Sequence, residues 1–350
     1  MKIVVLAGGT STERDVSFVS GSMVYKALKK RGHQVILIDV FYGYNGVDSR
    51  DPAAIFRADR DWAEDIREIT EEDPDLESIK EQRPDQSDSY FGPNVIEICK
   101  SADIAFLALH GGDGENGRIQ AAFDLLGIRY TGTGYLSSAL AMDKYYTKLL
   151  LEEAGIPTPE GQLIHNDTDT DLDEVKPPYL PCVVKPRSGG SSVGVYIPET
   201  KKEYKKALKS AFKYENDLLV ERFIEGRELT AAVIDGKPYP VVEIAPKSGF
   251  YDYRNKYQAG SAVETCPADL TKEETERVQK CAVDVFHALG MEGYARMDFR
   301  MDKEGTVYCL EANTLPGLTP TSLVPQEAAA LGISFEELCE LLIEVSLKKY

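Results

Sequence analysis

The chain opens on an apolar run that stops at glycine: Ile3-Val4-Val5-Leu6-Ala7, then Gly8-Gly9. An uninterrupted, β-branched run of this length bounded by glycines reads as a strand buried on both faces. Val16 to Lys30 then carries apolar residues at helical spacing, and Val35 to Val40 returns to strand. Strand, helix and strand in so short a span make a βαβ unit, which commits the chain to an α/β fold with a parallel sheet at its start. Met1-Lys2 leads directly into the first strand, and no apolar run reaches the ~18 residues of a membrane span. A cytoplasmic protein that does not enter a membrane is therefore expected.

At 350 residues the chain has room for two or three domains. Its 58 acidic and 40 basic residues leave a net charge of −18, which argues against nucleic acid as a partner. Residues 47–88 hold 15 acidic and 6 basic side chains, half of the excess, and are broken by Pro52, Pro74 and Pro84. This stretch reads as a peripheral insertion of short helices and loops. The six cysteines show no CxxC and no zinc spacing to a histidine, so they read as reduced thiols.

Further along, Asn94 to Ser101 reads as a helix and Ile104 to Leu109 as a buried strand. The loop from His110 to Gly117 is dense in glycine. One long helix is expected from a cap at Ser137 to Glu153, with Gly155-Ile156-Pro157-Thr158-Pro159 marking a boundary. The second half turns to strands: Cys182 to Lys185, Val195 to Ile197, Leu218 to Phe223, Leu229 to Ile234 and Val241 to Ile244, with a hairpin at Asp235-Gly236. Pro246 to Thr265 lacks a regular pattern, and a loop that long is functional or disordered. A helix over Lys272 to Leu289, a hairpin around Lys303-Glu304-Gly305 and two closing helices complete the chain.

Four constellations bear on chemistry. Lys185 precedes Arg187-Ser188-Gly189-Gly190-Ser191-Ser192-Val193-Gly194, a loop suited to phosphate oxygens or else an ordinary connection between strands; it is not a Walker A loop. Arg296-x-Asp298 and Glu311-x-Asn313 each have period 2, so a hairpin would set Asp298, Glu311 and Asn313 on one face as hard oxygen ligands for Mg²⁺. Glu221 ends an apolar strand whose free backbone groups can read an adenine edge, and Glu228 beyond Gly226 can accept from ribose hydroxyls. Glu13 follows the first strand, where open α/β sheets place ligands, and His110 holds the equivalent place after a later strand.

Taken together, Gly8-Gly9-Thr10-Ser11-Thr12-Glu13-Arg14, Leu109-His110-Gly111, Met142-Asp143-Lys144, Lys185-Pro186, Gly190-Ser191-Ser192-Val193-Gly194, Glu225-Gly226-Arg227-Glu228, Lys256-Tyr257, Arg296-Met297-Asp298, Glu311-Ala312-Asn313-Thr314-Leu315-Pro316-Gly317 and Pro320-Thr321-Ser322-Leu323 resemble the D-alanine–D-alanine ligases of the ATP-grasp superfamily. The resemblance covers nearly the whole chain outside about 47–90. It implies an N-terminal parallel-sheet domain (1–136), a central ATP-grasp subdomain (137–224) and a C-terminal one (225–350). It implies ATP, two Mg²⁺ or Mn²⁺ ions, D-alanine as substrate and a homodimer. Lys144, Lys185, Ser191, Ser192 and Lys256 would meet the nucleotide, Glu221, Arg222, Phe223 and Ile224 the adenine, and Glu228 the ribose. Asp298, Glu311 and Asn313 would hold metal. Glu13, Ser191 and Tyr257 would form a linked trio ordering the first D-alanine, flanked by His110. Arg296 and the backbone at Gly317 would stabilise the oxyanion, and Ser322 and Leu323 would receive the second D-alanine. D-alanine–D-serine or D-lactate ligases, other ATP-grasp carboxylate–amine ligases and a non-catalytic nucleotide-binding module are the competing readings.

Overall fold

A computed structural model of the chain describes residues 1–48, 50–64, 66, 74–83, 85–166, 175–246, 262–319 and 321–350. Strand β1 (Lys2–Ala7), helix α1 (Arg14–Lys30) and strand β2 (Gln34–Asp39) form the expected βαβ unit. Strand β3 (Ile104–Leu107) pairs on the other side of β1, giving a parallel sheet of order β2-β1-β3. Ile3 to Ala7 are all buried, as a run without polar alternation requires.

The stretch expected to be a peripheral insertion is so only in part: helix α2 (Leu76–Glu81) buries no residue, but the 3-10 turn at Pro52–Arg57 packs Ile55 and Phe56 into the core beside β2, because both are large apolar side chains. The end of the stretch is locked to the parallel-sheet unit. Arg83 is buried, donates to the Phe91 carbonyl at 2.9 Å and lies over the Phe41 ring. The Tyr90 hydroxyl sits so close to Gly9 that a Cβ there would lie 2.6 Å from it.

Helices α3 (Val95–Ser101), α4 (Gly112–Glu115) and α5 (Arg118–Leu126) follow. The single long helix expected up to Glu153 is in fact two, α6 (Tyr135–Met142) and α7 (Lys144–Glu153). Asp143 breaks it: its backbone is extended (ψ 96°), and its carboxylate accepts the Tyr145 and Tyr146 N–H groups as the cap of α7. The break puts Lys144 on the first turn of a new helix, aimed away from α6.

A second sheet, antiparallel with order β4-β6-β5, is built from β4 (Gly161–His165), β5 (Cys182–Pro186) and β6 (Asp217–Arg222), with helix α8 (Lys201–Ala211) packed on it. Strand β4 has no clear alternation and was not legible. The strand expected at Val195 to Ile197 is reduced to one bridge, Val184↔Tyr196, because Gly194 (φ +74°) and Pro198 bound it too tightly.

The third sheet runs β10-β9-β7-β11-β12, with β8 on β7. Its strands are β7 (Arg227–Ile234), β8 (Lys237–Pro238), β9 (Val242–Pro246), β10 (Ala262–Thr265), β11 (Tyr294–Met301) and β12 (Val307–Asn313). Asp235 and Gly236 both have positive φ, the requirement of the tight hairpin turn expected there. The stretch expected to be irregular begins and ends in paired strands, Pro246 facing Ala262. Its centre, with Lys256 and Tyr257, lies outside the described residues, as does Pro320. Helix α9 (Lys272–Ala288) covers one face of this sheet, and α10 (Leu323–Ala330) packs on β7. The last helix, α11 (Phe335–Leu347), returns to α1, where Leu338 and Leu342 share a core with Val24 and Leu28. All six cysteines are free thiols.

Candidate active site

The second and third sheets face each other across a cleft lined from both. Its walls carry Lys144, Lys185, Ser192, Glu221, Arg222, Phe223, Ile224 and Glu228, together with Arg296, Asp298 and Glu311. The sequence singles out each of these residues, though not all of the rest of the lining. The partners of Glu221 differ from expectation. Its carboxylate is 2% exposed; Oε2 takes Lys185 Nζ at 2.6 Å and Oε1 takes Lys148 Nζ at 2.8 Å. Burial pushes its pKa up, but the two lysines outweigh that and hold it below the usual carboxylate value. Both oxygens are thus engaged by lysines.

Lys148 was not singled out from the sequence, although it stands four residues after Lys144 on one helix face. Its ammonium has three acceptors, Glu221, Thr158 Oγ1 at 2.9 Å and the Pro159 carbonyl, which together need all three N–H bonds. Two lysines against one carboxylate leave the cluster with one net positive charge facing the cleft. Lys144 lies nearby, donating to the Gly189 carbonyl at 2.5 Å and standing 3.6 Å from Glu311.

The Gly/Ser loop is tied down at its base. Arg187 pairs with Asp143 and Asp217, and Ser188 donates from N–H and hydroxyl to Glu215. At its tip Ser191 and Ser192 both adopt positive φ, +53° and +59°, a costly conformation for serine that marks a functional loop. The result is a division of labour between neighbours: Ser192 lines the nucleotide cleft, whereas Ser191 lines an adjoining pocket.

That pocket holds Glu13, His110, Glu115, Ser191, Arg296, Asn313, Gly317, Ser322 and Leu323. Ser191 Oγ donates to Glu13 Oε1. Glycine is needed at Gly111 for this contact, since a Cβ there would come within 2.4 Å of Glu13 Oε2, and its φ is +64°. His110 lines the pocket, but both ring nitrogens are engaged. Nδ1–H donates to the Leu315 carbonyl at 3.1 Å, which fixes the tautomer, and Nε2 accepts from Ser20 Oγ at 2.9 Å. Ser20 in turn accepts the Leu318 N–H at 3.3 Å. Burial lowers the His110 pKa and keeps it neutral. The histidine thus positions the 315–318 loop. Glu115, also missed, accepts the N–H groups of Gly111 (2.6 Å) and Leu315 (3.3 Å); burial, aided by Glu13, pushes its carboxyl up to about 7.

Arg296 and Gly190 border both the cleft and the pocket. Arg296 sends Nε and Nη2 to the two oxygens of Asp298 at 2.9 and 2.8 Å. Asp298 also accepts from Thr230 Oγ1 and Asn313 Nδ2. In the β11–β12 register Asp298 faces Glu311 and Arg296 faces Asn313, so the two period-2 pairs do share one face. Met297 and Phe299 point into the core between them. Asp298, Glu311 and Asn313 on neighbouring register positions are the residues that could hold Mg²⁺ or Mn²⁺, with both oxygens of Asp298 here bonded to Arg296.

A cleft between two antiparallel sheets, walled by a lysine–glutamate–lysine cluster and opening onto a second pocket, is the arrangement of an ATP-grasp ligase, and its solved relatives bear this out. Residues 2–133 match the family model for the D-ala D-ala ligase N-terminus and residues 150–344 that for the C-terminus. The chain is 42% identical to a D-alanine–D-alanine ligase of Pediococcus pentosaceus, with 100% of this chain and 99% of the relative covered. It is 39% identical to one from Halalkalibacterium halodurans over 100% of both. A solved Bacillus anthracis D-alanine–D-alanine ligase superposes with a TM-score of 0.76 at 34% identity, covering 99% of this chain and 98% of that one. The same enzyme complexed with ATP gives 0.74 at 33% identity, covering 99% and 97%. The chain belongs to the D-alanine–D-alanine ligase family and is an ATP-dependent ligase.

Proposed function

We propose that the chain joins two D-alanines into D-alanyl-D-alanine through a D-alanyl phosphate, supplying peptidoglycan precursors in the cytoplasm. The observation that carries this reading is the shared border of the two pockets at Arg296 and Gly190, which sets a phosphate donor beside an amino-acid site. Asp298, Glu311 and Asn313 would hold two Mg²⁺ or Mn²⁺ ions, whose chemistry is to neutralise phosphate charge and orient the nucleotide. Lys144 and Lys185 add cationic charge to the same wall, and Glu228, paired with Arg300 at 3.1 Å, would accept the ribose hydroxyls. Glu13, joined to Ser191, holds the first D-alanine's ammonium and leaves its carboxylate toward the cleft. The second D-alanine's carboxylate sits at the N-terminus of α10, near Ser322 and Leu323, and its amine attacks the acyl phosphate. Arg296 and the Gly317 N–H receive the charge that develops on the carbonyl oxygen. The work is positioning and charge compensation. Tyr257 and Lys256 complete the donor site and the phosphate site in this proposal.

The three-part division at 136/137 and 224/225 belongs to the same reading, as does a homodimer. Leu125 and Leu126 on α5 and Tyr135 and Leu136 on α6 are exposed apolar side chains that a second copy could cover. No helix among the described residues is long and apolar enough to cross a membrane.

The test is incubation with ATP, Mg²⁺ and a panel of D-amino and D-hydroxy acids, with products identified by mass. ADP and phosphate release that depends on D-alanine, with D-alanyl-D-alanine as main product, is expected. Nucleotide turnover indifferent to D-alanine would sink the proposal.

A further inference from the structure

One buried carboxyl has no part in the chemistry above. Glu327 on α10 is 0% exposed, yet its Oε1 has no hydrogen-bond partner among the described residues. Its Oε2 accepts the Ala232 N–H of β7 at 2.7 Å. The reason lies in the sheet. Strand β7 pairs with β9 up to Thr230↔Val242 and with β8 from Val233↔Pro238, a slip of one residue. Tyr239 and Pro240 thus both face Ala232, which is a β-bulge. The Ala232 carbonyl still accepts the Tyr239 N–H at 2.8 Å, but its N–H loses its ladder partner, and Glu327 supplies the acceptor.

Both ends of this contact touch the site. Ala232 is the register partner of Arg296 on β11. Glu327 stands one helical turn after Leu323, on the same face of α10, and Leu323 lines both the cleft and the pocket while packing on Val242 and Ile244. We propose that Glu327 is a positioning residue for the acceptor subsite: by bridging α10 to the bulge at Ala232, it fixes how far Ser322 and Leu323 project toward Arg296. Reach, rather than charge, is what the bridge requires. Burial pushes the Glu327 carboxyl pKa well above its usual value, so a buried contact here is set by geometry and not by an ion pair. The inference rests on the reading of Ser322 and Leu323 as the second D-alanine's site.

Three variants separate reach from charge. Glu327→Gln keeps length and an acceptor oxygen. Glu327→Asp keeps the acid but is one methylene short. Glu327→Leu keeps bulk and removes the acceptor. Rates are fitted against D-alanine to resolve the donor and acceptor constants, with folding followed by thermal melting. The expected result is an acceptor KM within about twofold of the parent for Gln, and raised by roughly tenfold for Asp and Leu, the scale set by an orphaned buried N–H. Donor and ATP KM values stay unchanged. An unaltered acceptor KM in Asp, or a loss in Gln equal to that in Leu, overturns the proposal, as does a uniform fall of all constants with melting temperature. If Leu does not fold, the Gln and Asp pair still decides. Ser322→Ala is the control: if it moves the acceptor KM and the Glu327 variants do not, the positioning role alone fails. If Ser322→Ala does not move it, the acceptor reading fails first.

Discussion

Replacing Lys148 by methionine tests whether the lysine–glutamate–lysine cluster is a scaffold, a charge device or both. Methionine keeps the volume and most of the stem but removes the ammonium and its three donors. Lys148 is 4% exposed, and its loss strands the Pro159 carbonyl and one oxygen of Glu221, while the Thr158 hydroxyl keeps its bond to the Cys309 carbonyl. Removing one member of a buried ion pair costs about 3–5 kcal/mol. Lys185 still compensates Glu221 at 2.6 Å, so the lower end, about 3 kcal/mol, applies here. For a chain of this size, at about 2.1 cal/mol/K of unfolding entropy per residue, that is a fall in melting temperature of roughly 4 °C. The second consequence is electrostatic. The cluster drops from one net positive charge to none, and Lys185 is held more exclusively by Glu221. ATP KM is expected to rise about tenfold, as for a partly screened charge near phosphate, while D-alanine constants hold. The assays are a thermal melt without ligand and initial rates against ATP at saturating D-alanine. A melt lowered as predicted with an unchanged ATP KM would show that the cluster is scaffold only. An unchanged melt would refute the buried-pair argument itself.

Other outcomes are as definite. Glu311→Gln removes a charge from the proposed metal set and should abolish turnover with the melting temperature held within a few degrees; near-normal activity at low Mg²⁺ would refute the assignment. Gly111→Ala drives a methyl toward Glu13 at a positive φ and should cut turnover by roughly a hundredfold or more, read with D-alanine and ATP saturating. Glu115 has a folded pKa of about 7, above that of the unfolded chain, so the fold binds its proton more tightly. The stability this contributes is complete below about pH 4.5 and is lost as pH rises through about 7. Glu115→Gln should remove that part of the pH slope, on the order of 2 kcal/mol, in denaturant titrations at pH 5 and pH 8. With equal D-alanine and D-lactate at pH 7, the dipeptide should dominate, because the apolar Leu323 and a neutral Tyr257 do not repel an ammonium; a mainly depsipeptide product would refute this.

The parallel sheet, the β11–β12 face and the motif loops were legible because each rests on local pattern: an unbroken apolar run, period-2 alternation, glycine where φ must be positive. What escaped was set by distant partners. Asp143 reads as one more helical residue until its capping role and Arg187 are seen. Lys148 and Glu115 read as surface charges, since nothing local shows that Glu221 or Leu315 will bury them. Glu221 was placed correctly in the cleft, but its two lysine partners come from α7 and β5, and only the fold brings them together. Strand β4 has a weak pattern because its pairing with β6 decides it.

The contact between Ser191 and Glu13 spans 178 residues of chain, that between His110 and Leu315 spans 205, and that between Leu318 and Ser20 spans 298. A ribosome releases such partners at very different times. The loop that carries Glu13 emerges before residues 315–318, about 300 residues later in the chain, and must wait for them. Loop closure over such distances is slow to nucleate and rewarded only once the later sheet exists. A nascent chain can therefore complete its first sheet, and even part of the nucleotide cleft, with no enclosed place for an acyl phosphate.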